Sequence, residues 1–133
     1  MALNAIDLSR PLVPTATEKQ LVKHYVLLPV LLTMLQQDID AIRDSAVRIS
    51  FPHIVVIQRM MDSVREDLSR IRANLGLAGI RIYSEERDSE GISCRYVCRG
   101  YRETFRMPRE DVKTEISLLA GRYVEARSSS HGS

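Results

Sequence analysis

The chain has 133 residues, 44% hydrophobic and 27% charged, which suits one folded domain with one core and is too apolar for a disordered segment. Its 19 basic and 17 acidic residues leave a formal charge of only +2, so no global field advertises nucleic acid or membrane and any basic function has to be a local patch.

The opening stretch, MALNAIDLSRPLVP, lacks the basic and apolar regions of a signal peptide, and its Asp7, Pro11 and Pro14 argue against one. Residues 1–14 read as an irregular arm. The expected compartment is the cytoplasm, with both cysteines reduced. Helix-start signals follow, since Thr15 with Glu18 and Thr17 with Gln20 both fit capping-box spacing.

From there Leu21, Tyr25, Leu28, Leu32, Leu35, Ile39, Ile42, Ala46 and Ile49 recur in steps of three and four, a heptad seam that keeps its phase across Pro29. The pattern predicts one kinked helix over 17–50, with a turn at Pro29 as the alternative. Its most apolar run, YVLLPVLLTML, is about half the ~20 residues of a membrane span and is flanked by polar residues, so no membrane role is expected. A second seam (Ile54, Ile57, Met61, Val64, Leu68, Ile71, Leu75) predicts a helix over 53–75, with Pro52 in its first turn and Gly76 as its left-handed cap.

After Gly79 the period becomes two. IRIYSEER, ISCRYVC and YRETFRM predict a three-stranded antiparallel meander over 80–87, 92–98 and 101–107. DSEG is the first turn, and Arg99–Gly100 form either a second turn or a bulge. Pro108 opens a last helix over 109–126, with residues 127–133 expected to be a disordered tail. The fold class is α+β in a single domain.

Cys94 and Cys98 share one strand face, but four residues at ~3.4 Å separate them by about 14 Å, beyond disulfide reach. His24, His53 and His131 lack the spacing of a zinc site, so buried free thiols are expected and no metal or cofactor. No phosphate-binding, dinucleotide or nucleophile-elbow motif occurs, and the expected protein is not an enzyme. Only Arg99, Gly100 and Tyr101 fit the RNA-recognition octapeptide.

Two surfaces remain. Alternation collects Arg81, Tyr83, Arg95, Arg99, Arg102 and Arg106 on the solvent side of the sheet, with Glu85 expected beside Arg95. This face is the candidate for a protein partner, or alternatively for nucleic acid, against the plain reading of a solvated sheet surface. The second surface follows from helix lengths of about 50 Å and about 35 Å, which leave part of the first helix uncovered. Leu28, Leu31, Leu32, Leu35, Ile39 and Ile42 are then the expected self-association residues, most simply of a homodimer. The resulting expectation is an interaction or regulatory protein that self-associates through its helices and presents the arginine face.

Overall fold

A computed structural model describes residues 13–45 and 48–131. Helix α1 (Ala16–Asp44) begins where Thr15 satisfies free backbone donors: its Oγ1 accepts from Glu18 N–H at 3.1 Å, and Glu18 Oε1 accepts from Thr15 N–H at 3.0 Å. Of the two spaced pairs, Thr15–Glu18 is the one used. The helix is continuous through Pro29, as its unbroken apolar phase predicts. It stops at Asp44, short of residue 50, with the Ser45 hydroxyl and N–H both donating to the Ile42 carbonyl. Ala46 falls outside the described residues, and Ile49 is 69% exposed beyond the helix end.

Helix α2 (Phe51–Leu77) starts with Pro52 in its first turn, where the missing N–H costs nothing. It runs past the expected stop. Gly76 is helical, and Gly79 takes the positive φ, 75°, after the cap residue Ala78. At 29 and 27 residues the two helices span about 43 Å and about 40 Å. The length mismatch expected from the seams is therefore absent, and the hairpin covers itself along most of its length. Val22, Val26, Leu28, Leu31, Leu35 and Ile39 of α1 are buried with Ile54, Met60, Met61, Val64, Leu68, Ile71 and Leu75 of α2. By length and composition α1 is also apolar enough to cross a membrane, but its apolar side is committed to this core.

Strands β1 (Ile80–Asp88), β2 (Gly91–Cys98) and β3 (Tyr101–Pro108) form an antiparallel meander in that order. The first turn is built by Asp88, whose Oδ1 accepts from the N–H groups of Glu90 (2.8 Å) and Gly91 (3.2 Å). The second is the two-residue turn Arg99–Gly100, at φ 48° and 92°, rather than a bulge. Register between β2 and β3 follows the expected alternation, from Cys98 opposite Tyr101 to Ile92 opposite Met107.

Helix α3 (Arg109–His131) is tied to the first turn by Arg109 N–H donating to the Glu90 carbonyl at 2.8 Å. It extends to His131, so the first part of the expected tail continues the helix; neither glycine nor proline occurs between Arg127 and His131. The inner sheet face packs β1 on α2, and β2 and β3 on α3. Ile80, Ile92, Cys94, Tyr96 and Cys98 join Ile116 and Leu119 in the one core. The outer face is left to solvent.

Candidate functional site

The exposed sheet surface places Arg81, Arg95 and Arg102 around Val97: Val97 lies between Arg81 and Arg102 across the strands, and Arg95 lies between Ser84 and Thr104 one row further. Arg106 stands opposite Ser93 in the next row. All four arginines are exposed, and among the described residues none of them has an ion-pair partner. Strand geometry puts Arg81 and Arg102 roughly 10 Å apart, a spacing that separate carboxylates or phosphates could bridge.

The structure differs from the two expected surfaces in three places. Arg99 leaves the sheet face. As a turn residue it escapes the strand alternation, and its guanidinium reaches under the sheet to Glu18: Nη1 donates to Oε2 and Nη2 to Oε1, both at 2.9 Å. The same group donates to the Ala78 carbonyl at 2.7 Å and the Val13 carbonyl at 3.1 Å, clamping the start of α1, the end of α2 and the turn together. Glu18 is only 7% exposed, so Arg99 supplies the countercharge that lets it be buried.

Secondly, the register slips between Ile82 and Ser84, so Tyr83 and Ser84 together oppose Arg95. Beyond this bulge the phase inverts. Glu85 pairs with Cys94 instead of lying beside Arg95, while Glu86 and Asp88 bring their carboxylates to the far end of the outer face, near Arg106. A bulge leaves no mark in an alternating pattern, so the sequence could not show it. Thirdly, Leu28, Leu31, Leu35 and Ile39 are taken up within the chain's own core, and of the expected self-association set only Leu32 and Ile42 are partly exposed.

Behind the sheet, Cys94 and Cys98 are buried free thiols. Burial, with Glu85 nearby, pushes the Cys94 thiol up to about 11, and burial also raises Cys98. Such thiols are protonated and poor nucleophiles at neutral pH. Tyr96 is likewise pushed up to about 12 by burial and by Glu103, the one acidic residue facing it across β3.

A second site escaped the sequence altogether because three helices contribute to it. A cleft of about 440 Å³ opens where α1, α2 and α3 meet. Leu28, Ile71 and Leu119 line it with apolar surface; His24, Asp67, Arg70, Asn74, Arg122 and Tyr123 supply polar groups. Asp67 is already engaged on both oxygens, accepting from the Tyr123 hydroxyl at 2.6 Å on Oδ2 and from Arg70 on Oδ1. Burial and the Asp67 charge hold Tyr123 protonated well above its ordinary value. Burial, Lys23 and Arg122 lower His24, outweighing Glu115 and Asp67, so its imidazole is neutral at pH 7. The only sequence signal for this site was a set of polar residues close to the seams, indistinguishable there from an ordinary helix surface.

Comparison with known proteins reaches most of the chain. Bacillus subtilis (strain 168) has a relative, the uncharacterized protein YhjD, 26% identical over 106 residues that cover 80% of this chain and 88% of the relative. No solved structure matches. The family model described as YhjD protein matches residues 13–128, from the arginine-clamped start of α1 into the last turns of α3, and the chain belongs to that family.

Proposed function

We propose that the protein is a non-catalytic binding protein whose outer sheet face docks an acidic segment of a partner protein. The supporting observation is the set Arg81, Arg95, Arg102 and Arg106, exposed together on a rigid sheet whose other side is anchored in the core. Arginine presents a fork matched to carboxylate pairs, and of the four only Arg106 has carboxylates in its neighbourhood, those of Glu86 and Asp88, which leaves Arg81, Arg95 and Arg102 poised for acidic side chains. The bulge at Tyr83 favours this reading, because it puts Ser84 where a carboxylate would have neutralised Arg95.

An acidic protein suits the face better than nucleic acid. The net charge is only +2, and Tyr83, 45% exposed, is the aromatic residue beside Arg95; Tyr101 belongs to the Cys98 row on the other side. Single-stranded nucleic acid generally calls for several stacking rings along a basic groove.

Fluorescence anisotropy with a labelled Glu/Asp-rich peptide, at ~50 mM salt where such contacts are strongest, tests the proposal. Binding should weaken sharply in the double variant Arg95→Glu/Arg102→Glu. Peptide affinity that the double variant leaves unchanged, or no binding at all, overturns it. Parallel titrations with single-stranded and duplex DNA decide the competing reading: tighter binding to either, with a steep salt dependence, assigns the face to nucleic acid instead.

A further inference from the structure

The cleft between the three helices differs in kind from the sheet face: it is concave, apolar at its base and polar at its rim, the usual build of a small-molecule site. Its polar groups are lopsided. Asp67, the only carboxylate lining it among the described residues, is occupied by Tyr123 and Arg70. Arg122 and His24 have no hydrogen-bond or ion-pair partner among the described residues, and neither does the Asn74 amide. Nearby, Lys23 pairs with Glu115 at 3.0 Å, which removes that carboxylate as a partner for Arg122. Among the described residues the cleft therefore holds an unpaired cation, Arg122, and no uncommitted carboxylate to answer it.

That imbalance specifies a ligand. An acceptor-rich, negatively charged head would take the Arg122 guanidinium and the His24 and Asn74 donors, while an apolar body would cover Leu28, Ile71 and Leu119. A cationic head would meet the unpaired Arg122 with no free carboxylate among the described lining residues in return. A wholly apolar molecule would strip water from the arginines without replacing their hydrogen bonds.

We infer that this cleft is a binding site for a small amphiphilic anion, an apolar chain or ring ending in a carboxylate or phosphate, with Arg122 and His24 holding the head. Binding is coupled to a proton. The groups around His24 are Lys23 on its own helix, Asp67 and Arg70 on α2, and Glu115 and Arg122 on α3; burial first, then Lys23 and Arg122, disfavour imidazolium there against the opposing Glu115 and Asp67. An anion placed between His24 and Arg122 reverses that balance, so binding draws a proton onto His24 and tightens as the pH falls from 7.5 to 6.

The test is an imidazole NMR titration of the full chain with octanoate, octyl phosphate and octanol. The His24 resonance is assigned by its absence in His24→Gln. Saturable shifts of the His24 signal with one or both anions, an upward move of its titration midpoint, and no saturable effect of octanol are expected. Octanoate and octyl phosphate distinguish the two kinds of head. Arg122→Ala, an exposed change that should not disturb folding, is expected to weaken binding at least about tenfold.

The double variant Arg95→Glu/Arg102→Glu should bind as the parent does, which separates this site from the sheet face. No His24 shift at millimolar ligand overturns the inference. So does octanol binding as well as octanoate, or binding that Arg122→Ala leaves unaltered.

Discussion

Arg99 ties three parts of the fold together with one side chain. Its φ of 48° is a left-handed conformation that costs an L-residue about 1–2 kcal/mol, and the turn accepts it because the guanidinium then reaches Glu18, Ala78 and Val13. Arg99→Ala should remove the countercharge of a buried carboxylate while keeping the backbone strain, lowering stability by about 3 kcal/mol. Arg99→Gly loses the same clamp but relaxes the backbone, so it should be milder than Arg99→Ala by about 1 kcal/mol. Arg99→Lys keeps the charge but not the fork, and should fall between Arg99→Ala and the parent. Urea denaturation of the three variants gives the order. An Arg99→Ala protein within ~0.5 kcal/mol of the parent would mean that the corner is held by something else. Half of this clamp was legible: Thr15 and Glu18 announce a capping box, whereas their partner lies 81 positions further along in a turn, where alternation no longer says which way a side chain goes.

At the scale of elements, the turns decide the sheet. Gly91 has φ 150°, and a Cβ there would fall 2.2 Å from the Met107 carbonyl oxygen, on the backbone of the neighbouring strand. Gly91→Ala should therefore destabilise by at least about 2 kcal/mol, seen as a lower urea midpoint at unchanged slope; a midpoint equal to the parent's would contradict the close approach. The strands and the inward packing of Cys94, Tyr96 and Cys98 were readable, because period two gives the same buried face whether Arg99–Gly100 turn or bulge; the β2–β3 register depended on that choice and follows the turn. The helical hairpin was readable in outline and misjudged in length. Heptad phase carried on to Ile49, but a seam records only which residues could be helical, and the Ser45 cap ends the helix earlier. That difference of a few residues, with the longer α2, removes the length mismatch from which an uncovered apolar surface was inferred. On the sheet face the same limit appears as the Tyr83 bulge, which exchanged Glu85 for Ser84 beside Arg95. The arginine set survived it because Arg95, Arg102 and Arg106 belong to β2 and β3, beyond the bulge's reach.

The whole molecule is a three-helix layer with a sheet on one side, and the helices meet around His24 without closing the space between them. Seams alone could not reveal that junction, since its polar groups come from three separate helices that meet only when α3 packs back onto the hairpin. His24 gives it a thermodynamic signature. Its pKa is lowered in the folded chain by burial, then by Lys23 and Arg122, while the unfolded chain titrates near the ordinary value of 6.5. Below that value the unfolded state binds a proton that the native state resists, so the unfolded state gains and stability falls; above it neither state is protonated and the term disappears. Stability should thus be fully present at pH 7.5 and decline as the pH drops through 6.5 toward the folded-state pKa. His24→Gln, which keeps a polar group of similar reach without a titration in this range, should show a smaller decline between pH 7.5 and 5.5 than the parent. Urea midpoints measured across that window are the check, and the window lies above the ordinary carboxylate range, so acid unfolding through Asp and Glu contributes little to the difference. Identical slopes for parent and variant would mean that His24 is equally easy to protonate folded and unfolded, and that the positive surroundings contributed by Lys23 and Arg122 do not reach it.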